Sequence, residues 1–144
     1  MLCRPLTLHE ANALLPLVQD RMEELHLYWE QGLSIRKDML RRISSDASNQ
    51  TRTHGIPSAA LQEELGEIEA LITERVLDLQ RYGAFVREVF PGVVEFYATR
   101  AGIPVLLNWH FGEEKISQWL SFGEDPSDAT EIKDKNLFGP PVEH

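Results

Sequence analysis

From residue 7 onward, apolar side chains return at intervals of three and four. Ala11, Leu15, Val18, Met22, Leu25, Trp29 and Leu33 set the series, which runs on through Arg36, Leu40 and Ile43. Such spacing places one stripe on one side of a helix, so the pattern predicts a first helix over residues 7–43. Thr7-Leu8-His9-Glu10 opens it as a capping box, threonine and glutamate each able to satisfy the other's free backbone N–H. Leu6 and Ala11 offer a weak hydrophobic staple around that cap. Pro16 cannot donate to the carbonyl of Asn12, and its ring crowds that turn, so a kink is expected after two turns.

Residues 44–56, SSDASNQTRTHGI, carry almost no apolar side chains and many turn formers, the composition of a loop. Pro57 suits a first helical position. Leu61, Leu65, Ile68, Ile72, Val76 and Leu79 then form a second stripe that Gly83 can terminate, which predicts a helix over 57–83. The two helices should make an antiparallel hairpin ~40 Å long at 1.5 Å per residue.

After Pro91-Gly92 the period falls from 3.6 to 2. VVEFYA, IPVLLNWHF and EKISQWLSF read as three strands of an antiparallel meander over 93–122. A first connection of four residues, Thr99 to Gly102, and a two-residue type II′ turn at Gly112-Glu113 are expected. In that register Trp109 faces Ile116, Leu107 faces Gln118 and Val105 faces Leu120. Val94, Phe96 and Ala98 share their side, the core side. Val93, Glu95, Tyr97, Leu106, Asn108, His110, Lys115, Ser117 and Trp119 fall on the opposite face. Residues 123–144 form an acidic extended tail without a period, whose apolar end, 136–142, can dock back on the domain.

The fold this implies is α+β: a long helical hairpin on a three-stranded meander, a single domain over residues 1–144. A chain of that length can bury ~65–70% of its unfolded surface. Its 14 basic and 23 acidic side chains give a net charge of −9, which opposes a nucleic-acid partner. Arg36, Lys37, Arg41 and Arg42 do cluster. They read as cations at a helix end, favoured by its dipole, or as a local contact for phosphate or an acidic partner. Cys3 is the single cysteine, so an internal disulfide and a cysteine-rich zinc site are excluded. Without an apolar run near ~18 residues or a secretory pattern, no membrane span is expected and a cytoplasmic location is the default.

Candidate chemistry gathers on the outer sheet face. Glu95, Tyr97, Asn108, His110, Glu113 and Trp119 are the ligand-binding candidates, read either as a shallow small-molecule site or as a solvated or interface surface. Glu95 and His110 lie diagonally apart with no third metal ligand. Glu113 and Glu114 occupy a hairpin tip, which supplies neither a paired acid at set distance nor an environment to shift a pKa. Glu23 and His26 form E-x-x-H, the helical spacing of di-iron bundles, with Glu63, Glu64, Glu67 and Glu69 on the second helix. Met22, Leu25 and Trp29 hold the stripe, however, and leave that pair on its flanks. Cys3 has no assignable base, and His9, His54 and His144 are isolated. No catalytic residue, metal or cofactor is assigned.

Ala-Asn-Ala-Leu-Leu-Pro after the capping box, and the block from Gly92 to Trp119, resemble an uncharacterised bacterial family, domain of unknown function 2203. Val94, Phe96, Leu107, Trp109, Gly112, Glu113, Ile116 and Trp119 match the family pattern. Glu95 stands where that pattern has aspartate, Asn108 where it has cysteine, Leu120 where it has histidine and Pro140 where it has arginine. The resemblance thus implies the fold, and implies that any family chemistry built on that cysteine, histidine and arginine is missing here. The hairpin outruns strands of six to nine residues, which span ~20–30 Å, so part of its stripe around Trp29, Leu40 and Ile43 is expected to stay wet in a monomer. The expected function is a non-enzymatic interaction or regulatory module acting as a homodimer, with a further protein partner. A small-ligand or metal-binding protein, or one with hydrolase-like activity, on the outer sheet face is the alternative.

Overall fold

The computed structural model describes residues 4–49 and 59–139, with side-chain surroundings for 4–43 and 59–139. The expectations for Cys3, for the loop from 50 to 56 with His54, for Pro57 as a helix start, and for Pro140 to His144 lie outside these residues. The fold is α+β: two helices and one antiparallel sheet of five strands in sequence order. Helix α1 spans Leu8–Asn49 and α2 spans Ala59–Arg81. The strands are β1 (Ala84–Glu88), β2 (Val93–Arg100), β3 (Ile103–His110), β4 (Gln118–Leu120) and β5 (Thr130–Glu131). Two compact units divide the chain: residues 1–23 with 76–144, and residues 24–75.

The capping box opens α1. Thr7 N donates to Glu10 Oε1 at 2.9 Å, and Glu10 N donates to Thr7 Oγ1 at 3.0 Å. Arg4 adds an ion pair to Glu10 at 3.2 Å. The helix then departs from expectation twice. It is continuous through Pro16, and it continues six residues beyond 43, so Ser44 to Asn49 are helical rather than loop. Pro16 removes only its own N–H from the ladder and lies on the exposed side, and the helix carries on past it. A helix already nucleated extends through mediocre formers such as Ser and Asp at little cost. Gly83 ends α2 at φ +91°, with Tyr82 N bonded to Leu79 O and Gly83 N to Gln80 O.

In the first unit, Ala11, Leu15, Val18 and Met22 of α1 are buried, as is Leu79 of α2. The buried sheet residues Val94, Phe96, Ala98, Val105, Leu107 and Trp109 alternate as a core face must. Asn12 Oδ1 accepts from Ile116 N at 2.9 Å, and Arg21 pairs with Asp78 across the two helices at 3.6 Å. The tail closes over one end: Leu8 N donates to Phe138 O, Ala101 N to Leu137 O, and Thr99 Oγ1 to Gly139 O. Phe138 is buried, so the tail docks back through residue 138, with short 3-10 turns at Pro126–Asp128 and Lys135–Leu137.

The meander has five strands where three are expected. β1 escapes the period because it is short and interrupted: a bulge between Val86 and Glu88 inserts Arg87. The β2–β3 loop has two residues, Ala101 and Gly102, not four. The change of two preserves every face on that pair. The β3–β4 register slips by one, pairing Leu107 with Trp119 and Asn108 with Gln118. A slip of one reverses every side chain of the strand. Trp119 therefore lies with the core-side residues, tilted against Phe138 at 6.1 Å and under the Arg100 guanidinium at 4.7 Å. Leu120 moves to the outer face and is fully buried there.

In the second unit, Glu24 meets Arg75 at 3.0 Å and Arg36 meets Glu69 at 2.6 Å, so the helices run antiparallel. Among the described side chains of α1 in this unit, Leu25, Gly32 and Ile35 are buried, whereas Trp29, Leu33 and Leu40 are 37%, 42% and 64% exposed. The buried stripe thus leaves the apolar one after Leu25. Arg36, placed on the stripe by sequence, is exposed.

Replacing Thr7 by Ala should cost about 1 kcal/mol in chemical denaturation, the usual value of a lost N-cap. The Glu10 carboxyl is held below its usual 4.5, first by the Thr7 N–H and then by Arg4. A depressed carboxyl stabilises the fold above its ordinary pKa, and that stability is lost as the pH falls through the depressed value. Stability of the wild type should therefore drop below about pH 4.5 more steeply than that of Glu10→Gln, measured by urea melts at stepped pH.

Candidate functional site

The outer sheet face is built by the β2–β3 ladder. Glu95 stands directly opposite Asn108, Tyr97 opposite Leu106, and Val93 opposite His110. Directly opposed residues lie ~4.5–5.5 Å apart at Cβ and diagonal ones ~7–8 Å. Four of the six candidate residues, Glu95, Tyr97, Asn108 and His110, therefore share one surface. Glu113 joins them from the turn that follows. Trp119 does not, because the register slip sends it to the reverse face.

Glu95 and Asn108 are buried. Arg87, carried outward by the β1 bulge, donates Nη1 to Glu95 Oε2 at 3.0 Å. The Glu95 side chain is 11% exposed and that of Arg87 40%. Asn108 is 0% exposed, and neither its Nδ2 nor its Oδ1 has a hydrogen-bond partner. Gln118, half-buried, completes the row across the sheet, because it pairs with Asn108 on the other side. Tyr97 stacks edge-on against the exposed Phe122, 5.9 Å between centroids at 68°. Arg87, Gln118 and Phe122 were not recognised from sequence. Arg87 belongs to an unrecognised strand, and Gln118 changes face with the slip.

The turn after β3 has a local explanation. Gly112 sits at φ +100° and Glu113 N donates to His110 O, placing glycine third of four residues, the type II pattern rather than type II′. Glu113 Oε1 accepts from His110 N at 2.8 Å and stands 3.6 Å from His110 Nδ1, while Oε2 accepts from Ser117 Oγ at 3.1 Å. Trp109 Nε1 donates to Glu113 O at 3.0 Å. Serine, histidine and glutamate meet here in the wrong order for a nucleophile: the hydroxyl donates to the carboxylate, where a triad requires it to donate to the imidazole. Glu113 is a brace for the turn. Among the described residues no three of His, Cys, Asp and Glu come together as a metal would require. Glu23 is exposed and accepts from Gln19, away from such a grouping.

A second surface lies in the unit of residues 24–75. A groove of about 390 Å³ opens between the two helices, lined by Trp29, Gly32, Leu33, Leu65, Ile68 and Ile72. Arg36, Glu69 and Thr73 supply its polar side. Beside it, Arg75 donates to Glu24, which also accepts from Tyr28 Oη at 3.2 Å, and the carboxylate holds the guanidinium more firmly protonated. No helix among the described residues is long and apolar enough to cross a membrane.

The chain belongs to the family described as uncharacterized conserved protein DUF2203, whose model matches residues 4–124. No curated protein and no solved structure matches it.

Removal of the Arg87 guanidinium leaves Glu95 without its cation in a mostly dry place. Arg87→Met should cost about 1–2 kcal/mol at neutral pH, below the ~3–5 of a fully buried pair because the arginine is partly wet. The double variant Arg87→Met/Glu95→Gln should recover at least half of that loss in the same denaturation experiment.

Proposed function

We propose that this DUF2203 member is a non-enzymatic interaction or regulatory module that works as a homodimer, two copies meeting through the helical faces of residues 24–75. The supporting observation is the apolar groove between α1 and α2, with Trp29 and Leu33 part-exposed along it. Apolar area left in water forgoes roughly 25 cal/mol per Å², and a contiguous exposed patch is the usual mark of an association surface.

A second copy suits this face by charge. Between Arg36 and Arg42, α1 carries four cations and a single acid, Asp38. Arg36 is held by Glu69 and Arg41 by Asp38 within the same copy, so Lys37 and Arg42 are the cations offered to a partner. Between residues 59 and 69, α2 carries Glu63, Glu64, Glu67 and Glu69 and no base. A two-fold axis sets the cationic stretch of each copy beside the acidic stretch of the other, and both contacts form at once. From Trp29 to Leu40 is ~17 Å at 1.5 Å per residue, and two helices abreast are ~20 Å wide. That face is on the order of 350 Å² per copy in flat projection, roughly 700 Å² for two, below the ~1,200 Å² of a standard stable interface, so the dimer it forms is a weak, concentration-dependent one. A single cysteine is consistent with a reducing, cytoplasmic setting.

Sedimentation velocity over a range of concentrations tests the reading. Wild type should sediment as a dimer that weakens as salt rises, since the flanking charges are screened. Leu33→Glu should sediment as a monomer while keeping its helicity and losing no more than about 0.5 kcal/mol of stability, as expected at an exposed site. A wild type that stays monomeric up to hundreds of micromolar overturns it.

A further inference from the structure

We infer that the outer sheet face holds a binding site for an uncharged planar nitrogen heterocycle, a free base or nucleoside, whose adjacent hydrogen-bond donor and acceptor are read by the Asn108 side chain. This goes beyond the hairpin contact and is independent of it. The observation that carries it is the buried amide itself. Asn108 is 0% exposed with both Nδ2 and Oδ1 unpartnered. Buried polar groups are nearly always satisfied, and one left unsatisfied costs ~1–3 kcal/mol. Here both ends of one amide go unused at the centre of the sheet.

An amide offers an acceptor and a donor side by side on one edge. The complement is a group with a donor beside an acceptor, as on the edge of a nucleobase, which an asparagine amide can engage with two bonds together. The surroundings fit the rest of such a molecule. Glu95, opposite Asn108 and fixed by Arg87, can accept from a further N–H such as an exocyclic amine. Gln118 brings a second amide from the other side of the row. Tyr97 is a diagonal neighbour, braced by Phe122, and offers an aromatic surface to a flat ring. The Glu95 carboxylate and the net charge of −9 select against a phosphate, which makes the ligand a base or nucleoside rather than a nucleotide or a nucleic acid. Asn108 itself is covered, so the proposal requires Leu106, His110 and Gln118, its half-buried neighbours on this face, to move aside as the ligand enters.

The test is an NMR titration of the full chain with adenosine, cytidine and uridine, with AMP as the charged comparison. The Asn108 NH₂ pair is assigned by its loss in Asn108→Leu. At least one nucleoside should shift that pair saturably, with AMP at least tenfold weaker. Asn108→Leu should abolish the binding while melting at or above the wild-type temperature, because an unpaired buried amide has been replaced by an apolar group of similar size. If that variant does not fold, Asn108→Asp serves: it keeps the shape, removes the donor and should weaken binding at least tenfold. The inference is overturned if none of the nucleosides shifts the pair at millimolar concentration, or if binding survives both substitutions. It is also overturned if an ordered water contacts the NH₂ group and remains there at saturating nucleoside, since the amide would then be satisfied by solvent.

Discussion

The pairing of β2 with β3 is the constraint on which the sheet depends. Eight residue pairs link Val93–Arg100 to Ile103–His110, and the turn that fixes them has two residues, Ala101 and Gly102, at φ +50° and +84°. Two positive φ values in succession are the type I′ signature, whose twist matches that of the strands it joins. Ala101 accepts a left-handed conformation that costs an L-residue ~1–2 kcal/mol, and its N–H is taken up by Leu137 O from the tail. With that register set, Val94, Phe96, Ala98, Val105, Leu107 and Trp109 face inward as a block. Glu95 and Asn108 must then face each other on the outside. The core and the polar row follow from the same turn.

The next connection has no such turn, and there the sequence pattern misleads. Gly112-Glu113 has the composition of a two-residue hairpin, yet β4 begins only at Gln118. Glu113 explains the difference. Its carboxylate takes the His110 N–H and the Ser117 hydroxyl, while its carbonyl takes the Trp109 indole N–H. The His110 N–H taken by Glu113 and the Ile116 N–H taken by Asn12 Oδ1 are backbone donors that a continued ladder would use, so the chain stands off and rejoins one residue out of step. Neither alternation nor turn composition encodes a side chain that competes for backbone donors. Trp119 and Leu120 exchange faces in consequence. The capping box, the glycine stop at 83 and the faces of β2 and β3 were all legible, because each depends on groups close together in sequence. β1 and β5 were not, because one carries a bulge and the other has two residues.

On the helices the misreading has a similar cause. Hydrophobicity alone continues the stripe from Leu25 through Trp29 and Leu33, but burial passes to Gly32 and Ile35. Gly32 faces the second helix without a Cβ, and one built there would meet Ile68 and Leu65 at 3.7 and 3.8 Å, ordinary contact distances. The space a larger side chain would take is left open, with Trp29 and Leu33 on its flanks. A small residue at the contact makes the groove: side chains that would have filled the space between the helices line it instead.

The two surfaces differ in what they demand of the rest of the molecule. An apolar flank in water is tolerated on many folded proteins, and its cost is spread over several side chains. The Asn108 amide is a concentrated cost. It lies on the ladder that sets the whole sheet, where a leucine or valine would satisfy the same burial without an orphaned donor or acceptor. Its neighbour Leu120, fully buried on the same face, shows that this surface accepts an aliphatic side chain. The row through Glu95 and Gln118 is polar where burial alone would favour apolar residues, and Arg87 is delivered by a bulge to hold the carboxylate within it. Bulges recur where a side chain must be re-aimed. A polar row, a bulge and an unsatisfied amide on one patch are three departures from what folding requires, and departures of that kind concentrate where a surface serves a ligand.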